Sequence, residues 1–403
     1  MTTCAPSLTG APPDGGTWWG LPSGYWVLWT AVLVNRLATF MVPFLTLYLT
    51  TTRGLPVTTA GLIASLLGAG AMVSGLIGGW SADRIGRRST LLAGYFLAAI
   101  TLVALALATT LPALIIAAIA VGLSSDLARP ASQALVADVV PAPLRARAYS
   151  LSFWAVNIGF SLATLSAGAL SRYGFTTLLL IDASSAAIAG IWLWLKAPRI
   201  ALPRPTGERG GYLSSLRTDR TLRLLVVAGI AYSTVYQQAY TTLPLTMSRQ
   251  GLGPAAYGVI IAINGLVIIA LQPFADRVLT LVRPIHAYAG GLLLLGLGFG
   301  ATALAASGWS HALVVVSWSV GEVVCAAMTG ALFAAIAPAH LRGRYMALSG
   351  WCFAIGMAAG PVLGTAVLAV AGAGWLWTGC AITMAAVAAT TLLIKDPRIG
   401  QTD

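Results

Sequence analysis

The stretch ALVADVVPAPLRARA, residues 134–148, is repeated 197 residues later as ALFAAIAPAHLRGRY, residues 331–345. The same offset relates RGLPVTTAGLI, residues 53–63, to QGLGPAAYGVI, residues 250–260. A period close to half of the 403 residues indicates that one large unit has been duplicated. Both copies keep the same order of segments, so we expect two related halves with the same orientation.

The amino-acid composition indicates whether these halves lie in water or in lipid. Hydrophobic residues make up 58% of the chain, charged residues only 8%, and the mean hydropathy is +0.85. Typical globular domains contain roughly 25% charged residues. Because there are too few polar side chains to cover a water-facing surface, most of the chain must contact lipid.

A helix needs about 20 predominantly apolar residues to cross a bilayer, and twelve runs meet that length. In chain order, as span 1 to span 12, they are 24–49, 57–80, 89–109, 112–136, 148–170, 176–196, 222–247, 256–274, 286–306, 312–334, 346–371 and 375–395. The fold expected is an all-α integral membrane protein with twelve transmembrane helices in two six-helix bundles related by a parallel pseudo-twofold repeat.

The basic residues fix the orientation. Of the 23 Lys and Arg residues, 18 lie in the C-terminal tail and in the loops that follow even-numbered spans, whereas only Arg53, Arg172 and Arg249 lie in the opposite loops. By the positive-inside rule, both termini are cytoplasmic and the protein is a multi-pass component of the cell inner (plasma) membrane.

Five parts follow from these boundaries. They are a cytoplasmic N-terminal tail (1–22), a first six-helix bundle (23–196), a basic cytoplasmic linker (197–221), a second six-helix bundle (222–395) and a C-terminal tail (396–403). The linker is rich in Pro, Gly and Arg and has no hydrophobic periodicity.

Other classes of protein are disfavoured. The net charge of +12 is spread over short gaps between apolar runs, without a basic helix face, so no nucleic acid is expected as partner. The four cysteines form no C-x-x-C pair, and no phosphate-binding loop is present, so we expect neither metal nor cofactor and no enzyme activity. The expected partners are a small-molecule substrate, protons and the lipid bilayer, with the chain as a monomer.

Charges at hydrocarbon depth are the best candidates for function, because each costs about 2.5–3.5 kcal/mol even on insertion scales. Arg36, preceded by Asn35, lies near the middle of span 1, Asp126 in span 4 and Glu322 in span 10. We interpret Asp126 and Glu322 as proton-coupling sites, and Arg36 and Arg129 as the charges that control their protonation and offer docking for anionic groups. The residues expected to bind substrate are Asn35, Arg36, Arg129, Gln133, Asn157, Tyr232, Tyr236, Gln237 and Tyr240. The alternative is a static Arg36–Asp126 pair that only joins two helices.

Spans 4, 5 and 7 add polar side chains at helical spacing. Span 4 presents Gly122, Asp126, Arg129 and Gln133 on one face, span 5 carries Asn157, and span 7 carries Tyr232, Tyr236 and Tyr240 with Gln237 between them. Aromatic rings with hydroxyl and amide groups suit a flat, amphipathic or cationic organic substrate. The alternative is an aromatic stripe that packs the two bundles together. Asp182, close to the outer end of span 6, is expected to cap a helix.

The loop between spans 2 and 3 reads GGWSADRIGRRS, residues 78–89, and QPFADR, residues 272–277, follows span 8. We expect the first loop to act in gating: Asp83 ends span 2 and faces a helix N-terminus, while Arg84, Arg87 and Arg88 can pair with Asp138. Gly79 would permit tight packing and Gly86 a turn. Asp276 and Arg277 are the second copy. Alternatively, the arginines serve only the positive-inside rule.

These residues carry a family resemblance. Residues 78–89 resemble the loop signature G-x-x-x-D-R-x-G-R-R of the major facilitator superfamily, and QPFADR resembles its degenerate second copy. NRLATFMVPFLTLYL, residues 35–49, and LIDASS, residues 180–185, look like the twelve-helix multidrug:proton antiporter branch. The Gly-Pro signature of that branch in span 5 is replaced by Ala163 and Thr164. The resemblance implies two bundles that rock around a cavity lined mainly by spans 1, 4, 7 and 10.

Three classes of function remain. We expect first a secondary active transporter that performs proton-coupled efflux of drug-like or natural-product small molecules by alternating access. An importer or facilitator of a polar or anionic metabolite is the alternative, favoured by Arg36, Asp126 and Arg129. A polytopic membrane enzyme or a sensor is the third, and the sequence contains no reactive constellation that supports it.

Overall fold

The computed structural model describes residues 20–197, 216–338 and 341–399, and the elements in these ranges are helices. Nine spans are single helices: Val57–Arg84 (span 2), Arg87–Leu107 (span 3), Arg145–Leu170 (span 5), Phe175–Lys196 (span 6), Pro254–Val278 (span 8), Pro284–Ala301 (span 9), Gly308–Ile336 (span 10), Arg342–Val370 (span 11) and Gly372–Leu392 (span 12). Three spans are interrupted.

The interrupted spans carry polar residues at or near their breaks. Span 1 consists of Ser23–Arg36, Met41–Leu47 and a π-helical turn Tyr48–Thr52; span 4 of Leu111–Ser125 and Ala128–Val139; span 7 of Arg220–Tyr236, Gln238–Thr241 and Leu243–Arg249. Within the described ranges, eleven helical segments are long and apolar enough to cross a membrane. Span 7 falls short because tyrosine, glutamine and threonine side chains dilute its apolar run.

The packing of the spans repeats with the sequence. In the first bundle span 1 packs on span 5, span 2 on span 4 and span 3 on span 6. In the second bundle span 7 packs on span 11, span 8 on span 10 and span 9 on span 12. Between the bundles span 2 packs on span 11 and span 5 on span 8. Each contact has its counterpart six spans later, which confirms the all-α architecture of two bundles related by a parallel repeat.

Glycines allow the two bundles to approach closely. A Cβ on Gly68 of span 2 would collide with the backbone carbonyl of Met357 in span 11, and one on Gly258 of span 8 would collide with that of Thr164 in span 5. Two pairs of such glycines are separated by the repeat offset of 197 residues: Gly61 with Gly258, and Gly68 with Gly265. Small residues at helix contacts are what lipid-embedded bundles require, because van der Waals packing is a main force that holds them together.

The bundles meet in the half of the molecule remote from the termini. There Thr46 of span 1 donates to the carbonyl of Thr241 in span 7 at 3.0 Å, and the rings of Phe44 and Tyr257 are 5.2 Å apart. Nearer the middle, Phe160 and Tyr240 make a ring contact at 5.8 Å. The Val362 amide of span 11 also donates to Ser65 of span 2 at 2.9 Å. These contacts join the bundles in the half remote from the termini.

The last described residues fasten the second bundle at the end that holds the termini. The Arg398 guanidinium donates to Asp219 at 2.9 Å, to Asp396 at 2.6 Å and to the backbone carbonyl of Ile336 at 2.8 Å. The Tyr345 hydroxyl donates to the same Asp219 at 3.0 Å. This cluster, which we call the tail clasp, joins the C-terminal tail to the start of span 7, the end of span 10 and the start of span 11.

The tail clasp lowers the pKa of both of its carboxyl groups, Asp396 and Asp219. Arg398 is the main reason that the pKa of Asp396 lies far below its ordinary value. Burial raises the pKa of Asp219, but hydrogen bonds from Arg398, Leu222 and Tyr345 outweigh burial, so this pKa is also lowered. A carboxyl whose folded-state pKa is lowered contributes stability above its unfolded pKa and loses it as the pH falls through the folded one.

The first prediction concerns the glycine contacts. Gly68→Ala should lower the melting temperature of the purified protein in lipid nanodiscs, because overpacking of this kind costs about 1–3 kcal/mol. Gly79→Ala is the matched control in the same helix, since a Cβ there meets no atom within 4 Å. It should leave the melting temperature unchanged or raise it, because Ala favours a helix over Gly by about 1 kcal/mol. Equal shifts for both variants would contradict the close approach.

The second prediction concerns the tail clasp. Arg398→Ala should lower the melting temperature at neutral pH, and the difference from wild type should shrink as the pH falls below about 4, where the acids are protonated in the unfolded chain. Arg283→Ala is the control, because Arg283 is exposed and makes no ion pair among the described residues. If the difference in melting temperature between Arg398→Ala and wild type stays constant from pH 7 to pH 3, the ion pairs of the clasp do not contribute to stability.

Candidate functional site

Glu322 lies at the centre of a polar cluster in the second bundle. Its side chain is buried, and Oε2 accepts a hydrogen bond of 2.6 Å from Nδ2 of Asn264 in span 8. Asn264 also donates to Ser319 at 2.9 Å, and the Tyr236 hydroxyl of span 7 lies close enough to Glu322 to interact with it electrostatically. A carboxylate held by neutral partners, without a basic residue paired to it, is an acid that gains or loses a proton without breaking an ion pair.

The span 7 tyrosines form a ladder that starts at this acid. The Tyr232 and Tyr236 rings stack at 5.9 Å, and the hydroxyls of Tyr236 and Tyr240 are hydrogen-bonded at 2.7 Å. Tyr240 then meets Phe160 of span 5 across the boundary between the bundles. Trp318 lies edge-on to Tyr236 at 6.3 Å. The predicted tyrosine stripe and Glu322 are therefore parts of one aromatic and acidic cluster that reaches the opposite bundle.

The break in span 7 is held by a glutamine and by the kink in span 11. Gln238 donates to the carbonyl of Gly360 at 3.0 Å and accepts hydrogen bonds from Thr241 and Thr242. Gln237, which we expected to bind substrate, is buried, and a Cβ on Gly360 would fall 2.7 Å from its Cβ. The two glutamines therefore lie at the packing surface between spans 7 and 11.

Asp126 does not pair with Arg36, the partner considered from the sequence. It pairs with Arg129, three residues on, at 2.5 Å, and a Cβ on Gly75 of span 2 would lie 3.7 Å from its carboxylate. The pair lies at the break between the two helices of span 4. The static Arg36–Asp126 pair is absent from this conformation. Gln133 is exposed, and its backbone carbonyl accepts a hydrogen bond from Tyr149.

Arg36 is the last residue of the first helix in span 1 and packs against span 5, where a Cβ on Gly159 would fall 2.5 Å from its own Cβ. It makes no ion pair with any described residue. The backbone carbonyl of its neighbour Asn35 accepts the Thr39 hydroxyl at 2.9 Å. Asn157 is buried in span 5 and donates to its own helix, at the Phe153 carbonyl. Arg36, Asp126 and Glu322 thus occupy three separate environments.

The gating loop makes only part of the expected network. Arg87 bonds Asp138 at 2.5 Å and the Ala134 carbonyl at 2.7 Å, which ties the start of span 3 to the end of span 4. Arg84 lies over the Trp80 ring at 5.6 Å, and Arg88 donates to the carbonyl of Trp194 in span 6. Of the three arginines expected to pair with Asp138, only Arg87 does so, because the other two point away from span 4.

Three further positions of the loop motif differ in their surroundings. Asp83 is exposed and bonds no described residue. The tight packing expected at Gly79 occurs instead at Gly78, where a Cβ would fall 2.5 Å from the Leu127 carbonyl, whereas Gly79 faces open space. Gly86 has φ of 105°, a left-handed turn that favours glycine. The side chains of Asp276 and Arg277 lie outside the described residues.

Sequence reasoning missed Asn264. It is the only amide in the apolar run PAAYGVIIAINGLVIIAL of span 8 and lies one position before Gly265 of the glycine contact. A lone amide at hydrocarbon depth, like a charge there, needs a polar partner or a function, and this was the signal that could have identified Asn264. Trp318, the aromatic neighbour of Tyr236, had no such signal, because aromatic residues in an apolar run are ordinary packing residues.

Comparisons with known proteins identify the family. A family model described as the Major Facilitator Superfamily matches residues 28–324 and 239–402. The chain is 26% identical over 381 residues to multidrug resistance protein MdtH of Aeromonas hydrophila, covering 92% of this chain and 94% of that protein. It is 24% identical over 355 residues to a Na(+), Li(+), K(+)/H(+) antiporter of Planococcus maritimus, covering 79% of this chain and 83% of that protein.

The fold is also that of solved transporters. A POT family transporter in complex with 5-aminolevulinic acid superposes with a TM-score of 0.84 over 96% of this chain and 98% of its own, at 17% sequence identity. At that identity, the likeness concerns the fold alone.

The third prediction tests the hydroxyl pair of the tyrosine ladder. Tyr236→Phe should lower the melting temperature, because the buried Tyr240 hydroxyl then loses its partner, which costs about 1–3 kcal/mol. Tyr232→Phe is the matched control one turn away, since the Tyr232 hydroxyl makes no hydrogen bond among the described residues. The control should melt as wild type does. If the two variants melt alike, the Tyr236–Tyr240 hydrogen bond does not stabilise the ladder.

Proposed function

This chain belongs to the major facilitator superfamily and is a multi-pass membrane transporter, and from that premise we propose that it exports drug-like or natural-product small molecules in exchange for protons. The observation that carries the proposal is the cluster of Glu322, Asn264 and Tyr236 at the foot of the tyrosine ladder. A buried acid next to stacked aromatic rings unites a proton site with a surface for flat organic molecules.

The proposed cycle uses the two ends of the bundles alternately. By the positive-inside rule, the end that holds the termini faces the cytoplasm in the proposed cycle, and the contacts that join the bundles at the opposite end support a conformation closed to the outside. A substrate from that side meets the rings of the tyrosine ladder. Binding of substrate displaces the proton of Glu322, and the acid takes up a new proton once the bundles have opened to the outside. Asp126, beside Arg129, is proposed as a second proton-exchanging acid nearer the cytoplasmic side.

The energy source is the proton gradient across the plasma membrane. Each elementary charge that crosses the membrane is worth about 2.3 kcal/mol per 100 mV, enough to bias two conformations of similar energy. The relative named as a Na(+), Li(+), K(+)/H(+) antiporter supports exchange with protons, and the relative named as a multidrug resistance protein supports drug-like substrates.

A second candidate function is import of a polar or anionic metabolite. It is favoured by Arg36, a guanidinium in the middle of the membrane without an acid partner among the described residues. An unpaired guanidinium at this depth in the membrane is costly, and an anionic group of a substrate would satisfy it. Export predicts that cells accumulate less ethidium and that collapse of the proton gradient abolishes this effect; import predicts uptake of one narrow class of compound.

The fourth prediction separates coupling from binding. Glu322→Gln and Asp126→Asn should each reduce proton-driven ethidium transport in proteoliposomes to background, because an amide cannot exchange a proton. Binding of ethidium, followed by quenching of tryptophan fluorescence, should persist in both variants. Normal proton movement in vesicles that carry both changes, followed with an internal pH dye, would show that these acids do not couple transport to protons.

A further inference from the structure

Asp182 is a buried acid that the proposed cycle leaves unused. It is only 4% exposed and lies seven residues after Phe175, the first residue of span 6. At about 1.5 Å per residue, it is about 10 Å below the start of a helix that crosses a hydrocarbon layer about 30 Å thick. An ionisable group at such depth calls for a partner or a function.

The partners of Asp182 are two backbone amides at the break in span 1. Phe40 donates to Oδ2 at 3.2 Å, and Met41 donates to the same Oδ2 at 3.4 Å. The break removes both amides from the helical hydrogen-bond pattern, and the lipid offers them no water. The Phe40 amide is shared with the Ala38 carbonyl at 2.9 Å, whereas the Met41 amide has Asp182 as its partner. Asp182 therefore stabilises the break, as a cap for a helix in another span.

Only Oδ2 of the Asp182 carboxyl accepts the two amide hydrogen bonds that form the cap. Among the described residues, Oδ1 accepts no hydrogen bond, and the carboxylate makes no ion pair. A protonated carboxyl keeps a carbonyl oxygen that accepts both amides, with the proton on the other oxygen. The cap is thus compatible with both protonation states.

The charged and titratable groups around Asp182 come from spans 1 and 3. On span 1, Arg36 ends the helix before the break, and its charge acts on Asp182 and on Tyr95 of span 3. Tyr48, further along span 1, contacts the ring of Phe175 at the start of span 6. Arg36 is the one basic group of this set. It and Asp182 lie on opposite sides of a four-residue break, at residues 37–40, and are not in contact.

The break is linked to the contact that joins the bundles. Five residues after Met41, Thr46 donates to the Thr241 carbonyl of span 7, and Phe44 contacts Tyr257 of span 8. The second helix of span 1 must leave spans 7 and 8 when that end opens. Such a movement changes the geometry of the break, and with it the distance between Arg36 and Asp182.

We propose that Asp182 is a further proton-binding carboxyl of the transport cycle, and that movement of Arg36 across the break in span 1 controls the exchange of its proton. The proposal rests on proton coupling in the proposed function. In this proposal, Asp182 binds or releases its proton when the bundles join or separate. Glu322 instead releases its proton when substrate binds.

The test compares Asp182→Asn with Asp182→Ala. Asn retains one carbonyl oxygen that can accept both amides but cannot bind a proton, whereas Ala removes the cap. Infrared difference spectra of the reconstituted wild-type protein, titrated over pH, should contain the carbonyl band of a protonated carboxyl that Asp182→Asn lacks. Asp182→Asn should melt close to wild type, and Asp182→Ala should melt at a lower temperature.

Arg36→Gln provides the second arm and does not alter the cap. It should shift the pH at which the infrared band titrates. In ethidium-loaded proteoliposomes with an internal pH dye, it should also shift the pH midpoint of proton movement, and neither shift should occur in the Asp182→Asn background. Identical titration spectra and pH profiles for wild type and Asp182→Asn would overturn the proposal and leave Asp182 as a cap.

The failure of this inference and that of the proposed function are distinguishable. If wild-type vesicles move protons with ethidium, and Asp182→Asn matches them while Glu322→Gln does not, only the assignment of Asp182 is wrong. If wild-type vesicles move ethidium without protons, proton coupling is wrong and the assignment of Asp182 falls with it.

Discussion

The hydrocarbon layer offers no water to a backbone group that has lost its helical partner, so every interruption of a span must be satisfied by protein. At the break in span 1, the partner is Asp182 of span 6. At the kink in span 11, where Pro361 cannot donate, the amide of Val362 donates to Ser65 of span 2, and the Gly360 carbonyl accepts Gln238 of span 7. These two interruptions are thereby also contacts between spans, and the hydrogen bond from Val362 to Ser65 joins the two bundles. The break in span 4 is different, because the Asp126–Arg129 pair beside it lies within one span.

The contacts between the bundles combine close packing with few polar links. Glycines bring backbones together where span 2 crosses span 11 and where span 5 crosses span 8. Two hydrogen bonds link the bundles near these surfaces: the Thr46 hydroxyl of span 1 donates to the Thr241 carbonyl of span 7, and the Val362 amide of span 11 donates to Ser65 of span 2. Because helices in lipid gain little from burying apolar surface, two arrangements of such bundles differ mainly in van der Waals packing and a few hydrogen bonds. Two states of similar energy are what alternating access requires, and a membrane potential or one bound proton then suffices to choose between them.

The fold could be predicted from the sequence because its determinants are long and redundant: twelve apolar runs, an offset of 197 residues and an asymmetric distribution of arginine. The partners of single side chains could not. Helical spacing put Asp126 and Arg129 on one face, but whether Asp126 would meet Arg36 or Arg129 depends on the relative rotation of spans 1 and 4, which no sequence pattern fixes. The adjacent glycines at 78 and 79 show the same limit, since only the crossing point of spans 2 and 4 decides which of them packs.

The two bundles have diverged most in how arginine fastens the end that holds the termini. In the first bundle, Arg87 of span 3 binds Asp138 and the Ala134 carbonyl near the end of span 4. Both positions lack charge in the second copy, where the offset leads to Pro284 and Ala335. The second bundle instead receives Arg398 from the tail, and this arginine binds the Ile336 carbonyl at the end of span 10. A guanidinium thus lies near the end of the fourth helix of each bundle, although it comes from a different part of the chain. At span 10 it satisfies the last carbonyl, which has no partner within the helix, and near both ends its charge complements the partial negative charge of a helix C-terminus.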